Sequence, residues 1–361
     1  MKRHHPFWAG RVGRWPIPRR RLLGRGAEPS PACWDKRSGC GDGHLGGSGS
    51  GLPLFPTPSP YPGWRCDSVK CFNRFKAEVG VRPSRSAERL TLAKVAKEPV
   101  MDTLVQILTR CDIMVLQEVV DSSQKTVSFL LRELNRFDGS RSYSFLNSSL
   151  LGRSTYKEKY VYIYRSDKTQ VLNVYQYNDT DDLFAREPFV AQFTLPSKIL
   201  PSVVLVPLHT TPKDVEKELN ALYDVFLDVS QRWQNEDVIL LGDFNADCAS
   251  LTKKRLNSLL LRTEAAFRWV IPDGEDTTVR TSTNCTYDRI VMHGQGCQTL
   301  LRAAAPFNFP RSFQLTEEEA LSISDHYPVE VELSRAAPSI QPLSLAILLS
   351  QLGRWLDTFY T

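Results

Sequence analysis

Short apolar runs alternate with longer amphipathic segments through the middle of this chain of 361 residues. The runs at residues 203–206 and 238–241 contain only Val, Leu and Ile, which is typical of strands buried on both faces. Between them, residues 213–234 carry apolar side chains at steps of three and four, which predicts a long amphipathic helix. Strands that alternate with helices predict an α/β domain with a mixed sheet over residues 89–334.

The same periodicities predict the remaining elements of this domain. A helical stripe begins near Arg89 and is interrupted at Pro99, because proline breaks the hydrogen-bond ladder inside a helix. Further helices are predicted over residues 127–134 and 249–262. Further strands are predicted at residues 113–118, 160–164, 170–177 and 288–292.

Four of the apolar strands carry polar residues at one end. These residues are Glu118, His209, Asp243 with Asn245, and Asp325 with His326. Strand ends in a sheet protein converge on a crevice, and ligands bind in that crevice in open α/β folds. Two histidines and several acids in one crevice indicate metal-assisted hydrolysis more often than packing.

Each of these residues also has an ordinary structural explanation. A single strand-end histidine is usually a satisfied residue of the core, and Asp243 alone would cap a following helix. Glu118 alone is an ordinary strand-end carboxylate. The coincidence on four strands favours a site, because phosphodiester hydrolysis needs an activated water, a proton for the leaving oxygen and neutralised charge. Histidines beside carboxylates move protons, and Mg²⁺ or Ca²⁺ binds carboxylate oxygens.

Seven short blocks of sequence surround these residues: LQEV at 116–119, TYKE at 155–158, REP at 186–188, PLHT at 207–210, LGDFNADC at 241–248, TYDR at 286–289 and ISDHYPV at 323–329. In this order the chain resembles the deoxyribonuclease I family. The GDFN and SDH parts also resemble the wider endonuclease/exonuclease/phosphatase superfamily. The YKE and DC parts narrow the resemblance to the deoxyribonuclease I family. The resemblance implies an α/β (α+β) fold, a four-layer sandwich of two packed mixed β-sheets flanked by helices.

The resemblance implies two acid–base pairs. Glu158 would pair with His209, and Asp288 would pair with His326. It further implies an endonuclease, dependent on Mg²⁺ and Ca²⁺, that hydrolyses double-stranded DNA with little sequence preference. Such an enzyme reads the backbone and the groove rather than base edges.

The resemblance also implies where metal and phosphate bind. Glu118 and Asp243 would hold the catalytic divalent ion. Asp325 would be a third ligand at this metal site. Asp325 and Asn245 would also orient phosphate or water there.

Four more residues receive implied roles. Tyr156 would stack at the DNA minor groove, and Arg186 would contact phosphate. Asp276 and Thr278 lie in a loop that resembles a structural Ca²⁺ site.

The cysteines and the glycosylation sequons indicate in which cellular compartment the protein folds. The resemblance implies a structural disulfide between Cys248 and Cys285. Asn147, Asn178 and Asn284 each begin an Asn-X-Ser/Thr glycosylation sequon. Sequons arise by chance, but together with a disulfide they favour the secretory pathway, endoplasmic reticulum or cell surface.

The N-terminal segment, residues 1–87, is rich in Gly, Pro, Ser and Arg, which predicts disorder. It holds 16 Lys and Arg against 5 Asp and Glu, so the rest of the chain holds 29 against 35 and is acidic. A basic start without an apolar run shows no visible signal peptide. Intracellular localisation, including the nucleus, therefore stays open beside the secretory pathway.

The first strand of the family is absent from its expected place before Arg89. The nearest candidate is residues 70–73, so we expect the strand to be missing or replaced, which would expose the edge of a buried neighbour. A catalytically impaired, nuclease-fold binding protein is therefore an alternative to the nuclease. Another phosphodiesterase of the superfamily is a second alternative, against which Tyr156 and Arg186 argue.

The tail, residues 335–361, contains an apolar run that resembles part of a lipid-anchor signal. Arg354 and Asp357 interrupt it. Two alternatives remain for the tail: it associates with a membrane, or it is a loose amphipathic segment. The domain itself, residues 88–334, is predicted to be catalytic, with no obligate protein partner.

Overall fold

The computed structural model describes residues 68–70, 89–139 and 142–334, the first of these by backbone alone. All of them belong to one compact unit. Most of the N-terminal segment predicted to be disordered and the whole predicted tail lie outside the described residues. Within the described ranges, every helix falls short of the length and apolarity that a membrane crossing requires.

Twelve strands form the β-structure of the described residues. They are β1 Ser68–Lys70, β2 Ile113–Val119, β3 Tyr143–Asn147, β4 Lys159–Arg165, β5 Val171–Gln176, β6 Phe189–Thr194, β7 Ser202–Pro207, β8 Val238–Asp243, β9 Arg268–Trp269, β10 Asp288–His293, β11 Leu301–Pro306 and β12 Val329–Ser334. The strands predicted from apolar runs are confirmed as β2, β4, β5, β7, β8 and β10.

Nine helices are present in the same ranges. They are α1 Leu92–Val95, α2 Glu98–Leu108, α3 Lys125–Asp138, α4 Val215–Trp233, α5 Lys253–Asn257, α6 Leu260–Thr263, α7 Gln295–Leu300, α8 Phe309–Phe313 and α9 Glu317–Ile323. Pro99 lies in the first turn of α2, where its missing N–H costs nothing. The single helix predicted over residues 249–262 is wrong: α5 and α6 are separate, because Leu259 is extended and buried between them.

The strands form three sheets. The six-stranded sheet has the order β5-β6-β7-β8-β10-β9, and the two three-stranded sheets have the orders β2-β4-β3 and β1-β12-β11. Only β7 and β8 pair in parallel among these strands. The six-stranded sheet is therefore mixed as predicted, whereas the opposing layer consists of two antiparallel sheets.

Alternating side chains along the strands build the four layers. Ile239 and Leu241 of β8 point into a core between the sheets, to which β2, β4 and β12 also contribute. Val238 and Leu240 point the other way, onto α4, α5 and α6. On the far side, α1, α2, α3 and α9 cover β2 and β4. The period of two in a strand thus produces two helical layers around two sheet layers, which confirms the predicted sandwich.

The strand expected to be missing or replaced has a partial substitute. Ser68–Lys70 pairs antiparallel with β12, in a register that matches Lys70 with Glu332. The chain of β1 therefore runs toward the end of β12 that carries His326. Residues 71–73 of the candidate lie outside the described residues. The edge of β2 receives Leu90, which forms a parallel bridge with Val119.

Candidate functional site

The predicted site residues meet at one edge of the sandwich. Glu118 and Asp243 lie at the ends of β2 and β8, and His209 follows β7. Asp288, however, begins β10 and stands opposite Asp243 in the antiparallel register. Asp325 and His326 likewise precede β12, so both carboxyl and amino ends of strands meet at this edge. Antiparallel pairing places the start of one strand beside the end of the next, and both ends contribute.

A β-bulge delivers Glu118. The register between β2 and β4 shifts between Leu116 and Val119, so Gln117 and Glu118 lie in the irregular stretch. Glu118 has φ of 57°, a left-handed conformation that is uncommon for a residue with a side chain. Bulges of this kind re-aim a side chain beside an active site. The buried Glu118 carboxylate thereby reaches the sheet edge.

Asp243 depends on the glycine before it. Gly242 has φ of 135°, and a Cβ built there would lie 2.5 Å from Gln117 Nε2 and closer still to Leu208 O. The absence of a side chain lets β2 and β7 approach β8 at this point. The Asp243 N–H then donates to Gln117 Oε1 at 3.2 Å. The GDFN block thus supplies both the glycine that this close packing of strands requires and the carboxylate of Asp243.

The first acid–base pair is assembled as the resemblance implies. His209 Nδ1 lies 2.6 Å from Glu158 Oε1, and Tyr156 donates its hydroxyl to Glu158 Oε2 at 2.6 Å. His209 Nε2 lies 3.5 Å from Glu118 Oε1 and 3.7 Å from Asp243 Oδ2. The imidazole is therefore held by Glu158 on one side and faces the carboxylates of Glu118 and Asp243 on the other.

The second pair is built in the same way. His326 Nδ1 lies 2.6 Å from Asp288 Oδ2, and His326 Nε2 lies 3.9 Å from Asp325 Oδ2. The Tyr287 ring stacks on the imidazole at a centroid distance of 5.8 Å. The Ser324 hydroxyl accepts from the His326 N–H and donates to its carbonyl oxygen. Both histidines are buried and fixed in orientation.

Burial and neighbouring charge set the protonation of the first pair. Burial raises the pKa of Glu158, but attraction to His209 and Arg186, with hydrogen bonds from His209 and Tyr156, lowers that pKa to about 2. Burial lowers the pKa of His209, and the Arg186 guanidinium lowers it further, against the opposing effect of Glu158. At neutral pH Glu158 is ionised and His209 is neutral. With Nδ1 donating to Glu158, His209 Nε2 carries the free lone pair.

The acids of the site fit a divalent metal ion. Glu118, Glu158 and His209 form one group of potential ligands, and Asp243, Asp288 and His326 form another. Within each group the ligand atoms lie within 4.8 Å of one another. Mg²⁺ and Ca²⁺ prefer carboxylate oxygens, which both groups offer. Of the three predicted metal ligands, Glu118 and Asp243 belong to these groups, and Asp325 stands beside the second at His326.

The predicted phosphate ligands make contacts within the protein. Arg186 donates to the carbonyl oxygens of His209 and Thr210 at 3.0 Å each, and lies 3.4 Å from Glu158. Asn245 donates its side-chain amide to Thr210 O at 3.2 Å and its backbone N–H to an Asp243 oxygen. Both residues therefore hold the loop after β7 in place.

Tyr156 is half-buried, and its ring is covered on one face by the Arg89 guanidinium, 3.9 Å from the ring centroid. Its hydroxyl is committed to Glu158. The side chain that the resemblance places at the DNA minor groove therefore also supports the first acid–base pair.

The loop predicted to bind structural calcium is closed by hydrogen bonds. Asp276 Oδ1 accepts from the Thr278 N–H at 2.9 Å, the Thr278 hydroxyl at 2.6 Å and the Cys285 N–H at 3.2 Å. These contacts hold Asp276 and Thr278 together, and the structural Ca²⁺ site at these residues stays a prediction. Thr278 also forms a bridge to the backbone of His326, which ties the loop to the second acid–base pair.

The predicted disulfide is present, and two of the three sequons are exposed. Cys248 and Cys285 are bonded, with Cα atoms 5.9 Å apart and a sequence separation of 37. This bond links the end of the GDFN block to the calcium-like loop. Asn178 and Asn284 are exposed. Asn147, at the end of β3, is half-buried and donates its amide to Ser148 O.

Three supporting residues were missed by sequence reasoning. Tyr160 accepts the His209 N–H at 2.9 Å and donates to Arg186 O, and Glu218 accepts from the Thr211 N–H at 2.8 Å. Lys94 is buried although it is charged. A lysine four residues after Leu90, on an otherwise apolar helical stripe, is the signal that could have revealed it.

Known proteins resemble this chain closely. The Endonuclease/Exonuclease/phosphatase family matches residues 91–326. Deoxyribonuclease-1-like 1 of Cricetulus griseus is 92% identical over 264 residues, 73% of this chain and 87% of that protein. Deoxyribonuclease-1 of Ovis aries is 45% identical over 248 residues, 67% of this chain and 95% of that protein. The crystal structure of an endonuclease/exonuclease/phosphatase from Bacteroides vulgatus is 15% identical, covers 74% of this chain and 98% of its own, and has a TM-score of 0.49. This chain belongs to the endonuclease/exonuclease/phosphatase family and, within it, to the deoxyribonuclease I family.

Proposed function

We propose that this chain is a divalent-metal-dependent endonuclease that hydrolyses phosphodiester bonds of double-stranded DNA with little sequence preference. The observation that carries the proposal is the pair of buried histidines, each with a carboxylate oxygen 2.6 Å from Nδ1. Each presents Nε2 to further carboxylates at the same sheet edge. The names of the two deoxyribonuclease relatives support DNA as the substrate. The catalytic unit that we propose spans residues 88–334.

The two pairs supply the two proton transfers that hydrolysis requires. His209 is neutral, so its Nε2 accepts a proton from the attacking water while Glu158 stabilises the resulting imidazolium. His326, held by Asp288, enters the reaction as the imidazolium and gives its Nε2 proton to the leaving oxygen on the other side of the phosphate. After product release, His209 returns its proton to solvent and His326 takes one up. Because both histidines are locked by carboxylates and buried, little reorganisation is needed at the moment of reaction.

The acids around the histidines are suited to Mg²⁺ and Ca²⁺. Glu118, Asp243 and Asp325 are the residues that would hold the catalytic ion, which would neutralise charge developing on the phosphate. We assign Asn245 to orienting phosphate, since its backbone N–H is fixed by an Asp243 oxygen and its side-chain amide by Thr210 O. The acidic body gives no diffuse attraction for DNA, so binding depends on such local contacts.

The proposal is tested by nicking of supercoiled plasmid with purified full-length protein. We expect nicking with Mg²⁺ and Ca²⁺ together, its loss with a chelator, and its recovery when metal is restored. Preference for double-stranded DNA is tested on a duplex and its single strands at matched phosphate concentration. A folded protein that binds plasmid without nicking it would contradict the proposal and favour the catalytically impaired alternative. Faster hydrolysis of a lipid or inositol phosphate than of DNA would favour another phosphodiesterase.

Replacing Arg186 by glutamine should move the acid limb of the pH–rate profile to higher pH. Activity requires neutral His209, so it is lost as the pH falls through the pKa of that residue. The Arg186 guanidinium lowers this pKa, and removing it should raise the midpoint of kcat/KM. The midpoint rather than the rate is the readout, since Arg186 also holds the loop.

The matched control for this shift is Arg232→Gln. Arg232 lies on the surface of α4, where it pairs with Asp228. The control should keep the wild-type midpoint. An Arg186→Gln profile with its acid limb unchanged, or moved to lower pH, would show that this pKa does not govern the reaction.

We also propose that the protein passes through the secretory pathway, which the disulfide between Cys248 and Cys285 and the exposed sequons at Asn178 and Asn284 support. Glycosidase treatment of protein from expressing cells should increase its gel mobility, and Asn178→Gln with Asn284→Gln should abolish the change. Mobility that is insensitive to glycosidase would favour the intracellular alternative. Membrane association through residues 335–361 is tested in the same cells by comparing the chain with a version ending at Ser334.

A further inference from the structure

The backbone N–H of His209 lies where the sheet ladder holds the chain on one side only. In the parallel pairing of β7 with β8, Leu208 and Thr210 donate their N–H groups to carbonyl oxygens of β8. Since successive N–H groups of a strand point to opposite sides, the His209 N–H points away from β8. On that side β6 pairs with β7 only as far as Leu205, so the ladder has ended before His209.

The Tyr160 hydroxyl supplies the partner that the ladder does not. His209 donates its N–H to this oxygen at 2.9 Å, and the hydroxyl donates to Arg186 O at 3.2 Å. Tyr160 is 1% exposed, and burial raises the pKa of its hydroxyl, so the group stays protonated and can donate. The oxygen therefore both accepts and donates, and it joins β4 to the chain segments that precede β6 and follow β7.

Two further side chains fix the other polar groups of His209. The Arg186 guanidinium donates to His209 O at 3.0 Å and lies 3.4 Å from Glu158. Glu158, two residues before Tyr160 in sequence, holds His209 Nδ1 at 2.6 Å. The N–H, the carbonyl and the imidazole of His209 are thus each fixed by a different side chain. Of these three contacts, the one from Tyr160 sets the backbone on the side away from β8.

We propose that Tyr160 is a positioning residue for hydrolysis, whose hydroxyl holds the His209 backbone so that Nε2 is presented to the attacking water. This inference rests on the proposed function, because Tyr160 acts through His209 as the general base. A hydroxyl that only satisfied the core would contact main chain away from the site, as Tyr162 does. The Tyr162 hydroxyl, two residues later on β4, lies 2.7 Å from Phe189 O and 3.1 Å from Leu205 O.

The test replaces Tyr160 by phenylalanine in the full chain and measures plasmid nicking and melting temperature. Phenylalanine keeps the ring in the core and removes only the oxygen. We expect kcat to fall about tenfold with KM unchanged, because a misplaced general base slows the chemical step without weakening the binding of DNA. Tyr162→Phe is the matched control: it also removes a buried hydroxyl from β4 and should lower the melting temperature similarly, but it should keep the wild-type kcat.

A double-mutant cycle separates positioning from a general structural effect. Because Tyr160 acts through the His209 side chain, Tyr160→Phe should change nicking by less than about twofold in a His209→Ala background. A full tenfold loss in that background, or an equal loss of kcat in Tyr160→Phe and Tyr162→Phe, would overturn the inference. Nicking by Tyr160→Phe at the wild-type rate would overturn it as well. Absence of nicking by folded wild-type protein would instead contradict the proposed function itself, and this inference with it.

Discussion

Replacing His209 by alanine is expected to lower kcat/KM for plasmid nicking by about 1,000-fold, with the folded state preserved. General acid–base catalysis by a positioned side chain contributes roughly 100- to 10,000-fold. His209 is placed for that role by its contact with Glu158 and by its neutral state. The fold should survive, because Glu158 keeps the Tyr156 hydroxyl and the Arg186 guanidinium as partners.

The measurement is steady-state nicking at saturating Mg²⁺ and Ca²⁺, with melting temperatures of both proteins. His293→Ala is the matched control: His293 lies at the opposite end of β10 from Asp288, and its Nδ1 contacts Glu236 O. The control should nick at the wild-type rate. His209→Ala protein that is folded and nicks within tenfold of wild type would remove His209 from the mechanism.

Glu158→Gln separates the charge of the pair from its geometry. Glutamine keeps an oxygen near His209 Nδ1 but cannot stabilise the imidazolium that forms during proton transfer. We expect a loss of about 100-fold, smaller than for His209→Ala. A larger loss in Glu158→Gln than in His209→Ala would mean that Glu158 acts directly on substrate or metal.

The strands that carry the site can be predicted from sequence because each is a short apolar run closed by a polar residue. Residues 203–206 and 238–241 become the centres of β7 and β8, which bury both faces. Hydrophobic patterning fails to predict strands whose amino-acid composition does not match their burial. Gln192 interrupts the buried strand β6, and β11 is rich in alanine, which favours helix when only local propensity is considered. Pairing with neighbouring strands decides both cases.

Only part of the site can be predicted from the pattern of apolar and polar residues. Glu118, His209 and Asp243 follow apolar runs, whereas Glu158 precedes β4 and Asp288 begins β10, and both were identified only through the family resemblance. Antiparallel register brings Asp288 opposite Asp243, and register between distant strands is a tertiary property that periodicity does not contain. Lys94 was missed because its burial is set by the packing of α1 against distant parts of the chain.

Replacing Gly242 by alanine is expected to destabilise the protein strongly, although it adds only one methyl group to the site. The new Cβ would lie 2.5 Å from Gln117 Nε2 and would overlap the Leu208 carbonyl oxygen. The backbone there also has φ of 135°, which side-chain-bearing residues rarely adopt. Overpacking in a close-packed interior costs about 1–3 kcal/mol and backbone strain costs a similar amount, so we expect a loss of about 3–5 kcal/mol.

The measurement is the free energy of unfolding in denaturant, with Gly274→Ala as the matched control. Gly274 also has positive φ, at 85°, but a Cβ there would meet no atom within 4 Å. The control isolates the conformational cost, about 1 kcal/mol, from the cost of the steric clash. If Gly242→Ala cost no more than Gly274→Ala, the strands would not approach each other at this glycine as the structure places them. Because Gly242 precedes Asp243, a folded Gly242→Ala protein should also bind Mg²⁺ more weakly, since the clash can be relieved only by moving the chain that carries this carboxylate.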